Sequence, residues 1–254
     1  MEVIEREQDV YHRFNQFPRE QVDCIVPCLR LDKNATHLAY MENGNLRNYL
    51  AKNQPSRAVQ ITWFRQMAQA LEQVHDKCVL VADIASRNFL LDSDLSIKIC
   101  DFSESSLLPI GTVMEMADDD GYSIQTDIRQ LGAVIYEVIT RQECDFDLFR
   151  EGIPPDGRAI WPPRDSLPST DGLWLGPIIE RCWVEGGFQN AHALSQALGS
   201  VDLMGISDED SGLWDNLLPI TRWNHHDHVK NSVILLAVVL TVVAFIGSRT
   251  KKQP

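Results

Sequence analysis

Three side chains in the middle of this chain have the types and the spacing to do chemistry. Asp83 is followed five positions later by Asn88, and Asp101 comes thirteen positions after that, opening the triplet Asp101-Phe102-Ser103. Moving a phosphoryl group asks little covalent work of a protein. It needs one carboxylate to orient or deprotonate the accepting hydroxyl, and oxygen ligands for the Mg2+ that neutralises the phosphates. An Asp, an Asn and a second Asp supply that set. Polar turns also favour Asp and Asn, so the elements around the three residues carry the argument.

Those elements alternate between helix and strand. Residues 1–17 set Ile4, Val10, Tyr11 and Phe14 at helical spacing among charges. Cys24 to Leu31 and Thr36 to Met41 read as short strands, and Asn43-Gly44-Asn45 as a turn whose Asn45 caps a short helix through Tyr49. From Ala58 to His75 the residues Ile61, Phe64, Met67, Ala68, Leu71 and Val74 recur at steps of three and four, which predicts an amphipathic helix. Val79 to Val81, Phe89 to Leu91 and Ser96 to Cys100 are strand-like runs, so Asp83-Ile84-Ala85-Ser86-Arg87-Asn88 falls in a loop between two of them. Gln125 to Thr140 is apolar almost all round and predicts a central, buried helix. Pro154, Pro155, Pro162 and Pro163 mark a loop, and Leu173 to Cys182 and Ala191 to Leu198 predict two further helices.

Composition bounds the function classes. With 44% hydrophobic and 23% charged residues, the 254-residue chain can bury a sizeable core. A net charge of -13 argues against attraction to nucleic-acid phosphates. The six cysteines form no CxxC pair, which favours buried free thiols in a reducing compartment over a disulfide framework or a zinc site. Residues 1–13 are charged and lack an apolar signal core.

Val233 to Ile246 is a run of 14 positions broken only by Thr241. With Asn231, Ser232, Gly247 and Ser248 it reaches 18 positions, or about 27 Å of helix, adequate for a thin bilayer. A buried core helix is the rival, but the run has no polar face and follows an acidic, polar stretch at 207–211. Lys230 flanks one end and Arg249, Lys251 and Lys252 the other, placed to reach headgroups. The expectation is a single-pass tail anchor with the body in the cytosol, on the outer mitochondrial membrane or the endoplasmic reticulum. His225-His226-Asp227-His228 before it reads as a polar spacer, with weak metal binding as the alternative.

The order of these motifs resembles the protein kinase family over roughly residues 5–200. Val81-Ala82-Asp83 through Asn88 is similar to the HRDxxxxN catalytic loop, and Asp101-Phe102-Ser103 to DFG. Thr126-Asp127-Ile128-Arg129-Gln130-Leu131-Gly132 resembles the start of the buried F helix, and Arg181-Cys182-Trp183 with Phe188 to Leu198 the end of the lobe. Leu38-Ala39-Tyr40-Met41-Glu42-Asn43-Gly44-Asn45-Leu46 is similar to the hinge. The resemblance implies ATP and Mg2+ as cofactors. Asp83 would be the base, Asn88 and Asp101 the metal ligands, Leu38 the gatekeeper, Ala39 and Met41 the adenine-facing backbones, and Leu90 the floor beneath the ring. Asp127 would accept hydrogen bonds from the catalytic-loop backbone, and Phe102 would pack in the hydrophobic spine with Val81. Glu7 falls where the glutamate of the C helix would be.

The chain also departs from that pattern. No GxGxxG loop or VAIK-type lysine precedes the hinge, so Glu7 lacks its partner, and Lys33, after the helix, is poorly placed to replace it. His and Arg of the catalytic loop are Val81 and Ala82, and Gly of DFG is Ser103. No Ala-Pro-Glu lies in the 26 positions between Asp101 and Asp127, and the Arg that would pair with that Glu is Gln189. The resemblance implies an α+β, kinase-like, mainly helical C-lobe with a truncated N-lobe, to which the apolar run adds one C-terminal transmembrane helix. Expected bounds are 1–40 for the N-lobe remnant, 41–201 for the C-lobe, 202–230 for a linker, 231–248 for the membrane helix and 249–254 for a basic tail. The expected function is a membrane-anchored binding or scaffold module for protein partners with impaired catalysis. The alternative is an active ATP-dependent protein kinase acting on hydroxyl groups.

Overall fold

The computed structural model describes residues 3–149 and 157–202. Helix α1 (Val3–Phe14) buries Val10, Tyr11 and Phe14, the face its apolar spacing predicts. An antiparallel hairpin follows, β1 (Cys28–Asp32) with β2 (Ala35–Leu38). The Gln8 amide donates from α1 to the carbonyls of Asp32 and Ala35, tying the helix to the hairpin turn. Both strands are shifted from the sequence reading of 24–31 and 36–41. Residues 24–26 run beside a later strand instead: the Ile99 N–H donates to Cys24 O at 3.0 Å and the Val26 N–H to Ile99 O at 2.9 Å. Gln73 holds them there, accepting from the Cys24 N–H and donating to Asp23.

The next elements form the platform for the site. Strand β3 (Gly44–Asn45) leads into helix α2 (Leu46–Leu50), whose Asn45 cap accepts from the Asn48 N–H. Helix α3 (Arg57–Asp76) is capped by Ser56 and buries the predicted stripe. Strand β4 (Val79–Leu80) precedes the loop of Asp83; β5 (Phe89–Leu91) and β6 (Ile97–Ile99) follow it, and β3, β5 and β6 pair as a three-stranded antiparallel sheet. Strand β7 (Ser106–Leu107) returns to pair with β4, which brings the segment after Asp101 alongside the loop of Asp83.

Helix α4 (Ile124–Thr140) is central: 12 of its 17 residues are buried. Helices α5 (Gly176–Trp183) and α6 (Ala191–Gly199) complete the body. α5 starts later than the predicted Leu173, because Leu175 adopts a left-handed conformation and Pro177 opens the first turn. Gly132 lets α4 approach α5, since a Cβ there would lie 2.6 Å from the Cβ of Cys182. One main core runs from α1 through α3 and α4 to α6.

All six cysteines are free; five are buried and Cys28 is half-buried. Burial, with the charge of Asp23 beside it, pushes the Cys24 thiol up to about 12. Burial likewise pushes Cys144 up to about 11, so neither supplies a thiolate at neutral pH. The linker beyond residue 202, the anchor at 231–248, the tail at 249–254, the run His225 to His228, and Pro154 and Pro155 lie outside the described residues. Among the described residues no helix is long and apolar enough to cross a membrane.

Candidate functional site

The loop carrying Asp83 is held from the central helix. Asp127, with no exposed surface, accepts from the Val81 and Ala82 N–H groups, both at 2.9 Å, and its Oδ2 lies 2.9 Å from His75 Nε2. Ala82 (φ 65°) and Asp101 (φ 63°) are both left-handed. For a residue with a Cβ that conformation costs about 1–2 kcal/mol, so it persists only where surrounding bonds enforce it.

Asp83 is part-exposed, and its carboxylate receives Arg87 Nη2 at 2.6 and 2.7 Å and Asn88 Nδ2 at 3.0 Å. It borders a cleft of about 350 Å³ whose walls include Glu104, Tyr122, Glu137 and Phe146. Asn88 is buried, and its carbonyl accepts from the Cys100 N–H at 2.9 Å. Pairing of Phe89 with Ile99 fixes that register and sets Asp101 two residues beyond Ile99. Asp101 Oδ1 accepts weakly from the Ser103 N–H at 3.3 Å.

Mg2+ takes one or two protein oxygens and fills its octahedron with water and phosphate. Asn88 uses its Nδ2 on Asp83, leaving its amide oxygen, and the Asp101 carboxylate lies adjacent on the hairpin. Those two groups fit such an ion when phosphates supply the other ligands. Among the described residues no group of three or more His, Cys, Asp or Glu side chains forms a metal site by itself.

Leu38, Ala39, Met41 and Leu90 gather around a small second core with Val26 and Cys100. Val26, Met41 and Cys100 are its buried members, and Leu38, Ala39 and Leu90 pack on them partly buried. Sequence reasoning missed Val26 and Cys100. The signal was present for Cys100, which flanks Asp101, but Val26 reaches the cluster only through the bridge to β6.

The remaining residues lie at the seam between α1 and the 101–108 segment. Phe102 is fully buried and meets Tyr11 and Phe14 edge-on, at centroid distances of 5.5 and 5.1 Å. Val81 belongs to the same core. Arg13 donates from α1 to the carbonyls of Lys77 (2.8 Å) and Leu108 (3.2 Å), and Arg6 to Ser103 O (3.3 Å). Ser103 does not have a left-handed φ, so this backbone conformation does not require a glycine there. Gln125 ties α4 to the carbonyls of Phe188 and Gln189, where the resemblance had suggested that an ion pair was lost.

Glu7 is half-buried, and no ion pair within 4.0 Å involves it among the described residues. Burial pushes its carboxyl up and the charge of Asp101 adds to this, while hydrogen bonds from the Thr36 side chain and the Phe102 backbone pull it partly back. A carboxyl raised in the folded state destabilises the fold while ionised and gains as it protonates on acidification. Glu7→Gln is therefore expected to melt no lower than wild type at pH 7.5. The gap should close as pH falls toward the ordinary carboxylate range, measured by thermal melts across that window. A cation opposite Glu7 would reverse the sign.

Residues 13–110 match a family described as protein tyrosine and serine/threonine kinase. Over 183 residues the chain is 29% identical to the serine/threonine/tyrosine-protein kinase HT1 of Arabidopsis thaliana, covering 65% of this chain and 46% of that protein. It is 26% identical over 207 residues to the RGS domain-containing serine/threonine-protein kinase A of Dictyostelium discoideum, covering 72% and 18%. It is 27% identical over 184 residues to the tyrosine-protein kinase JAK3 of Rattus norvegicus, covering 58% and 16%. The chain thus spans less than half the length of each of these relatives. Together the matches support a kinase family and a kinase-like α+β fold for this chain.

Proposed function

We propose that this chain is a kinase-like binding module that engages Mg·ATP or a protein partner and transfers phosphate slowly or not at all. In this reading Asp83 faces the accepting hydroxyl, Asn88 and Asp101 hold Mg2+, and the cluster around Leu38, Ala39, Met41 and Leu90 faces the nucleotide ring. The observation that carries it is Glu7, half-buried and raised by burial and by Asp101 against hydrogen bonds from Thr36 and the Phe102 backbone, with no ion pair within 4.0 Å among the described residues. Phosphoryl transfer is almost wholly positioning and charge neutralisation. A site that leaves an unneutralised carboxyl beside its metal-ligand aspartate repels phosphate where it should grip it. Residues 231–248 would tether the module to a membrane, with the body on the cytosolic side.

A second reading, an active protein kinase, is favoured by Asp83, Asn88 and Asp101 all lying along one anchored loop and hairpin. The two readings separate on the full chain. Thermal melts with Mg·ATP at ten times the dissociation constant should rise by about 3–6 °C if nucleotide binds. Transfer of labelled γ-phosphate is expected to stay at background. Transfer that disappears in both Asp83→Ala and Asp101→Ala would overturn the impaired-module reading. Deleting 231–248 should move the protein from carbonate-washed membranes to the soluble fraction.

A further inference from the structure

Val81 and Ala82 carry no side-chain donor or acceptor, so the loop presenting Asp83 cannot anchor itself through them. Six of the backbone groups from Val81 to Ile84 are met by side chains from elsewhere. Asp127 takes the Val81 and Ala82 N–H groups, and Asn88 reaches Asp83 O at 2.9 Å. Gln130 Oε1 accepts from the Ile84 N–H at 3.0 Å while its Nε2 donates to Ala82 O at 2.8 Å. Ser105 Oγ donates to Val81 O at 3.0 Å. Gln130 is 4% exposed and Ser105 2%.

We infer that Gln130 is the residue that positions Asp83, and that Ser105 keys it to Asp101. The two bonds of Gln130 fall on residues 82 and 84, one on each side of Asp83, so any turn of the peptide units around Asp83 breaks both. The bond from Ser105 joins the same loop to the segment four residues beyond Asp101, and therefore links the group that meets the hydroxyl to a group that meets the metal. Both side chains are buried polar groups, and a buried polar group persists only when its bonds are made. A small misplacement of a reacting group can lower a rate by orders of magnitude. The positions of Asp83 and Asp101 thus depend on two buried side chains that act through the backbone around them. The inference rests on the assignment of Asp83 and Asp101 proposed above, but its structural part can be read without any turnover.

The test uses Gln130→Met, which keeps length and volume without the two bonds, and Ser105→Ala as an independent variant. Hydrogen exchange is measured on the whole protein. Amides of residues 81–88 should exchange about tenfold faster in Gln130→Met, as expected for lost buried hydrogen bonds, while α6 stays within twofold of wild type. Ser105→Ala should loosen 81–83 and the 101–107 segment together. Unchanged exchange at 81–84, or a uniform rise that includes α6, would overturn the inference. If the wild-type chain transfers phosphate, the single-turnover rate should fall at least tenfold in Gln130→Met at unchanged nucleotide affinity. A loss of affinity with the rate retained would also overturn it. If the wild-type chain transfers none, that outcome bears on the enzyme reading alone, and the exchange data still decide the positioning role.

Discussion

Replacing Asp127 by Ala is expected to leave the body unfolded, or close to it, at 37 °C. Asp127 has no exposed surface and accepts from two backbone N–H groups as well as lying against His75 Nε2. Alanine offers no acceptor and leaves a void where the carboxylate stood. A buried donor left without a partner costs about 1–3 kcal/mol; with three groups affected, a total of about 3–5 kcal/mol is expected, as for other broken buried networks. Domains of this size are stable by only about 5–15 kcal/mol. The loss is aggravated at Ala82, whose left-handed backbone is one of the groups Asp127 enforces, and at His75, whose Nδ1 already has no partner. Asp127→Asn, which keeps one acceptor oxygen, should fall between the two. Urea denaturation followed by circular dichroism measures this, and an alanine variant within about 1 kcal/mol of wild type would show that the loop is held in some other way.

Phe102→Ala should be comparably severe, and its damage should reach α1 first. The ring is fully buried, with Tyr11 and Phe14 edge-on against it. Truncating a buried Phe to Ala costs about 3–5 kcal/mol, through lost transfer free energy and the cavity left behind. Two of the three aromatic rings belong to α1, so the cavity opens under that helix. The helix would then be held mainly by Arg6, Gln8 and Arg13. Trypsin should cut at Arg13 and Arg19 in the variant before it cuts within α3 or α4, and urea melts should show the lost stability. Phe102→Leu, which refills most of the volume, should restore more than half of both. Equal protection of Arg13 in Phe102→Ala and wild type would place the docking of α1 elsewhere.

Much of the fold could be read from the sequence because its longest elements carry their own signals. The stripe Ile61, Phe64, Met67, Leu71 and Val74, read from Ala58 to His75, bounds α3 to within a residue. The nearly unbroken apolar run after Ser123 does the same for α4, and β5 spans Phe89–Leu91 in both views. The misreadings arise where local pattern and tertiary pairing disagree. Cys24 to Val26 have strand chemistry but only a single bridge to β6. Leu173 to Leu175 continue an apolar period that Pro177 restarts. In the site, Asp83, Asn88 and Asp101 were legible as a spaced set. Gln130 was not, because a lone glutamine in an apolar helix reads as an interruption. It sits three positions after Asp127 on the same buried face, and only the coordinates reveal that both side chains point at one loop.

The fastening of α1 also dictates an order of assembly. Arg13 bonds to carbonyls 64 and 95 positions later, and Arg6 to one 97 positions later. At translation rates of about 5–20 residues per second, α1 leaves the ribosome about 5–20 s before the last of these partners. A helix of 12 residues is marginal in water without packing. α1 is therefore synthesised well before the partners that fasten it to the body. Contacts this distant in sequence are expected to form late, so changes at Arg6 or Arg13 should alter how fast the finished protein opens more than how fast it folds.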